Sequence, residues 1–289
     1  MTIINSSMTL GEAPIWHNQR QSWLWLDIIN KQLFELPHHD REQQPSVHRF
    51  SLMPSIIVEQ PNGCVLVIAQ YQMIELDLES GLQTLLCTLP VPEGFRTNDG
   101  GVCDNGLLWF STMHKTSPLK FPGSIYVIDQ RLNIKCQLLN QIHIANTFCW
   151  VTVNRVLISD SLLQLMYDVP YHNGVLEWHN KIVFDDLSST NAAHDGGAID
   201  VFGQIWNAQW AAGRVRCYQA SGAVVTDVSL PVLQPSSCCF GGPENKHLLI
   251  TSATEGMNAR QIKQFPLSGS IFLLELDVEG RSIPIFEMD

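Results

Sequence analysis

One unit recurs six times along this chain, and the recurrence excludes most folds at once. Each copy reads turn, short apolar strand, connection, second apolar strand, turn. The six pairs are Ser22-Trp-Leu-Trp-Leu-Asp with Gln32-Leu-Phe-Glu-Leu, Gly63-Cys-Val-Leu-Val-Ile with Met73-Ile-Glu-Leu-Asp, and Gly106-Leu-Leu-Trp-Phe-Ser with Gly123-Ser-Ile-Tyr-Val-Ile-Asp. Then come Arg155-Val-Leu-Ile-Ser-Asp with Gln164-Leu-Met-Tyr-Asp-Val, Gly203-Gln-Ile-Trp-Asn-Ala with Gly213-Arg-Val-Arg-Cys-Tyr, and His247-Leu-Leu-Ile-Thr-Ser with Gly269-Ser-Ile-Phe-Leu-Leu. Aligning Leu24, Leu66, Leu108, Leu157, Ile205 and Leu249 gives steps of about 42, 42, 49, 48 and 44 residues, the spacing of four-stranded propeller blades. A sandwich would not repeat six times, and a β-helix would repeat at a shorter period. Short strands bounded by Gly, Asn and Asp, with almost no helical periodicity, agree. The prediction is an all-β, six-bladed β-propeller, with about four antiparallel strands per blade, forming one domain over residues 1–289. No low-complexity linker interrupts it, and His38 to Ser46 reads as a polar loop.

Composition narrows the partners. Seventeen basic residues against twenty-eight acidic ones leave a net charge of -11. Such a surface repels phosphate backbones and anionic lipid, which argues against a nucleic-acid or membrane partner, and it suits cation binding. No apolar run approaches the roughly 18 residues that span a bilayer, and the N-terminus lacks a signal-peptide core. The eight cysteines form no Cys-x-x-Cys pair and have no histidine at zinc-finger spacing. Several lie in apolar strand-like runs, so they read as small buried hydrophobes of a cytoplasmic protein. Cys238 and Cys239 would point to opposite faces of a strand, which disfavours a disulfide between them.

Propellers bind ligands where the first strand of each blade begins and loops converge. Four segments precede such strands: Leu10-Gly-Glu-Ala-Pro-Ile-Trp, Phe95-Arg-Thr-Asn-Asp-Gly-Gly-Val, Ile144-Ala-Asn-Thr-Phe-Cys-Trp and His194-Asp-Gly-Gly-Ala-Ile-Asp. They supply side-chain oxygens at Glu12, Asn98, Asn146 and Asp195. Carboxylate and amide oxygens at one blade phase suit a hard divalent cation. Asn-Asp-Gly and Asp-Gly-Gly are also common turns, so the shared phase carries the signal rather than any single motif. His114 and His194 flank the same region. Most of the tryptophans recur at core phases.

These segments, with Trp109-Phe-Ser-Thr-Met, Ser159-Asp-Ser and Phe240-Gly-Gly-Pro, resemble the SMP-30/gluconolactonase/regucalcin family over nearly the whole chain. The resemblance implies metal ligands at Glu12, Asn146 and Asp195, with Asp195 also catalytic, and substrate contacts at Arg96 and Asn98. Two loops depart from the family pattern. Ala145-Asn146-Thr147 stands where Pro-Asn-Gly is usual, and His194-Asp195-Gly196 where Pro-Asp-Gly is usual. The stretch after Met113 lacks the acidic substrate contact of some members. The implied activity is metal-dependent opening of a sugar lactone to the aldonic acid, with one divalent ion (calcium, zinc, manganese or magnesium). The alternatives are a propeller esterase or phosphotriesterase using the same metal site, and a non-enzymatic calcium-binding propeller. The sequence leaves the oligomeric state open.

Overall fold

The computed structural model describes residues 1–40, 43–172 and 174–289. Arg41 and Glu42, part of the expected polar loop, lie outside the described residues. Six antiparallel sheets make the chain an all-β, six-bladed β-propeller. The paired strands read from the repeat are the second and third strands of each sheet. In blade 1, for example, Ser22–Asp27 pairs with Gln32–Pro37. Ser22–Asp27 is buried at every position. A strand covered on both faces reads as a continuous apolar run rather than an alternating one, which is why the repeat stands out. The fourth strands are harder to see. Ser46–Arg49, Gln83–Thr88 and Val224–Ser229 expose most of their residues and carry weak patterning.

The chain divides into two compact units. Unit 1 comprises Met1–Ser51 and Thr190–Ser282, which contain blades 1, 5 and 6. Its sixth blade takes its outermost strand from the N-terminus. Thr2–Ile4 pairs antiparallel with Ile271–Glu275, Ile3 opposite Phe272, a role the repeat did not reveal. Trp16, Trp23, Trp25 and Leu249 form one core cluster of this unit, and Trp206, Val215, Phe240 and Phe272 form another. Unit 2 comprises Leu52–Ser189 and Ile283–Asp289, with blades 2, 3 and 4. Trp109 and Trp150 pack in one of its clusters, and the tail residue Phe286 inserts beside Ile56 and Phe110 in another.

Among the described residues the only α-helix is Ala259–Gln264, closed by an Asn258–Gln261 capping box. Among the described residues no helix is long and apolar enough to cross a membrane. None of the eight cysteines forms a disulfide; five are buried, whereas Cys136 is exposed on an outer strand, against the expectation of burial. Burial pushes the Cys217 thiol up to about 12 and raises that of Cys239 as well. Only the thiolate is nucleophilic. Iodoacetamide at pH 8 is therefore expected to modify Cys136 first and to leave Cys217 and Cys239 intact until the protein unfolds. Peptide mass mapping over time checks this, and simultaneous labelling of all three would contradict it.

Candidate functional site

The first strand of every blade slips register against the second near its start. The slips fall between Glu12 and Ile15, Pro54 and Ile56, Thr97 and Gly100, Asn146 and Cys149, His194 and Gly197, and Pro235 and Ser237. A bulge re-aims side chains and leaves backbone groups without ladder partners, which favours such positions for binding. Glu12, Arg96, Asn98, Asn146 and Asp195 all lie at or beside these slips.

In unit 1, Glu12 is half-buried and its Oε2 accepts the Ala13 N–H at 3.1 Å. Ala13 sits in the left-handed region at φ 46°. The loop before Glu12 is fixed by the Asp27 carboxylate, which accepts the N–H groups of Thr9 and Leu10 at 2.9 and 3.2 Å. Gly11 must be glycine, because a Cβ there would lie 2.5 Å from Met8 Cε and 2.6 Å from the Ser252 carbonyl oxygen. The Gly11 carbonyl accepts the Ser236 hydroxyl.

Asp195, on the first strand of blade 5 (Ala193–Ile199), is 7% exposed. Asn207 Nδ2 donates to its carbonyl at 2.8 Å and more weakly to that of Gly196 at 3.4 Å. Asn207 Oδ1 lies 3.1 Å from His194 Nδ1, so the imidazole carries its proton there. His194 is thus buried, its Nδ1 held within blade 5 by Asn207. A Cβ on Gly196 would lie 2.1 Å from Ser237 Oγ. The adjacent serines 236 and 237 therefore touch the strand of Glu12 and the strand of Asp195 respectively.

That crowding yields a stability prediction. Gly196→Ala is expected to overpack the contact at a cost of about 1–3 kcal/mol. For a chain of this size the melting temperature should fall by roughly 2–10 °C. Ser237→Gly in the same chain should recover part of the loss. Calorimetry of the single and double variants checks this, and an unchanged melting temperature for Gly196→Ala would show that the contact can relax.

Unit 2 joins its three candidates into one hydrogen-bonded run. Arg96, 6% exposed, donates through Nη1 to the Thr97 carbonyl at 2.9 Å and to Asn98 Oδ1 at 2.7 Å. Asn98 Nδ2 in turn donates to the Ala145 carbonyl at 3.0 Å and to Asn146 Oδ1 at 3.3 Å. Asn146 Nδ2 ends the run on Ser161 Oγ at 2.8 Å. These bonds fix the amide orientations, leaving the Asn98 and Asn146 oxygens a lone pair each for a ligand. His114 lies farther along. Its ring packs against Phe95 and Phe121, and its Nδ1 accepts the N–H groups of Thr116 and Ser117.

Two residues escaped the sequence reading. Asp99 was legible only as part of an Asn-Asp-Gly turn. Burial pushes its carboxyl up to about 7, against the opposing pull of N–H donors from Gly100, Thr147 and Phe148. Asn207 carried no signal beyond its place on a second strand.

Among the described residues, no group of three or more His, Cys, Asp and Glu side chains gathers in a metal-ligating arrangement.

Residues 10–254 match the SMP-30/Gluconolactonase/LRE-like region family. A Rhizobium meliloti protein provisionally named sugar lactone lactonase is 28% identical over 290 residues, covering 99% of this chain and 97% of its own. The 6-deoxy-6-sulfogluconolactonase of Pseudomonas putida is 26% identical over 291 residues, covering 98% and 97%. A crystal structure of regucalcin from Agrobacterium tumefaciens, described as a calcium-binding protein, superposes with a TM-score of 0.90 at 27% identity, covering 98% of this chain and 95% of that one.

Proposed function

This chain belongs to the SMP-30/gluconolactonase/LRE-like family, and from that premise we propose that it is a lactonase, opening a sugar lactone to its aldonic acid with the help of one divalent cation. The observation that carries the reading is the fixed run from Arg96 through Asn98 to Asn146. It sets a guanidinium and two amides in a row, and such groups suit an oxygen-rich ligand better than an apolar one. The names of the relatives point the same way.

In this reading Glu12, Asn146 and Asp195 would hold the ion, which would be calcium, zinc, manganese or magnesium. Once bound, it would supply Lewis-acid polarisation of the lactone carbonyl. Asp195 accepts a proton from the attacking water, whose oxygen forms a new bond to the lactone carbonyl carbon. The ring C–O bond then breaks, and the departing alkoxide takes the proton from Asp195 to become the new hydroxyl, which returns the carboxylate to its starting state. Arg96 and Asn98 orient the sugar hydroxyls. Eight cysteines without a disulfide suit a reducing compartment, and we place the protein in the cytoplasm.

The test is acid release from a panel of sugar lactones, simple aliphatic lactones and a phosphotriester, with each of the four cations and with a chelator. Cation-dependent opening of polyhydroxylated lactones is the expected result. Preference for the phosphotriester would overturn the substrate class. Calcium binding without turnover of any substrate would favour the binding-protein reading that the regucalcin likeness raises.

A further inference from the structure

Asp99 takes no part in the reaction as proposed, yet it closes the segment that carries Asn146. The first strand of blade 4, Ala145–Thr152, loses register with its neighbour between Asn146 and Cys149. Thr147, inside the slip, has φ 58°, a left-handed conformation that a β-branched residue adopts only under constraint. The slip removes the N–H groups of Thr147 and Phe148 from the ladder, and both donate to the Asp99 carboxylate of blade 3. Gly100 N–H adds a third bond to it at 2.8 Å. On the other side of Asn146, the Ala145 carbonyl accepts Asn98 Nδ2 at 3.0 Å and, more weakly, Ser111 Oγ at 3.4 Å. Ser111 Oγ also donates to the Asp99 carbonyl at 2.8 Å.

We infer that Asp99 is a positioning residue that, with its neighbour Asn98, clamps blade 4 immediately before and after Asn146 and so sets where the Asn146 side-chain oxygen stands. Asn98 holds the carbonyl that precedes Asn146, and Asp99 holds the two N–H groups that follow it. Neither clamp is local in sequence, since blade 3 reaches across to blade 4. The consequence for cation binding rests on the reading that Asn146 is a ligand; the consequence for the backbone does not.

Two measurements separate these levels. Calcium titration by calorimetry is expected to show a Kd raised about 10–100-fold in Asp99→Ala, the usual cost of losing a partner that orients a ligand. The effect should largely vanish when Asn146 is already alanine, because Asp99 acts through it. Amide hydrogen exchange of residues 145–149 should accelerate at least ~10-fold in Asp99→Ala while Arg155–Asp160 keeps its protection. Asp99→Asn retains one acceptor oxygen and should fall between the two, and it replaces the alanine variant if that one does not fold. Uniformly faster exchange across the chain with an unchanged Kd would reduce Asp99 to a general structural role and overturn the inference. Should the unaltered protein bind no cation, the metal reading of Asn146 fails, and the local exchange alone decides the clamp.

Discussion

Asp195→Asn is expected to cut lactone turnover by roughly 10²–10⁴-fold even when the cation is saturating, the usual cost of removing a general base. The substitution is a useful probe because the Asp195 backbone has an anchor of its own. Asn207 Nδ2 donates to the Asp195 carbonyl at 2.8 Å, and Ser237 leaves no room for a Cβ at the next residue, Gly196. The new amide therefore occupies the place of the old carboxylate, with an oxygen still available but no charge and no proton-accepting capacity. If Asp195 only ligates, the deficit is one of occupancy, and raising the cation concentration restores turnover. Calorimetric titration paired with hydrolysis at saturation separates the two cases. Near-normal turnover in the loaded variant would refute the base role and leave water activation to the cation.

The fold was legible because the second strand of each blade is buried along nearly its whole length. The middle of each such strand, Trp23 to Leu26 in Ser22–Asp27 and Val156 to Ile158 in Arg155–Asp160, is apolar, and the spacing of these runs exposed the repeat. Thr2–Ile4 was not legible as a blade strand, since three residues carry no period and their partner, Ile271–Glu275, lies at the other end of the chain. The same division holds at the site. Glu12, Asn146 and Asp195 could be singled out because each is an oxygen-bearing residue at the phase where a first strand begins. Asp99 could not, because its partners are backbone N–H groups of another blade, and backbone groups leave no trace in composition. His194, which the sequence places only beside the candidate site, is buried and turned toward Asn207, a second-strand residue that no motif marks.

Arg96→Ala is expected to lower kcat/KM on a polyhydroxylated lactone by about 10–100-fold, the range for losing hydrogen bonds from a charged donor, and on a plain aliphatic lactone by much less. Two contributions enter the first number. A guanidinium that meets sugar hydroxyls is lost, and so is the donor that fixes Asn98 Oδ1 at 2.7 Å. With that bond gone, the Asn98 amide can turn away from the Ala145 carbonyl and from Asn146. The aliphatic lactone has no hydroxyls to recognise, so whatever it loses measures the second contribution alone. Arg96→Lys should recover little, because lysine lacks the planar guanidinium whose fixed geometry places one nitrogen on both the Thr97 carbonyl and Asn98 Oδ1. Equal losses on both lactones would mean that Arg96 acts only through Asn98, as a brace for the blade 4 strand, and that the sugar is recognised elsewhere.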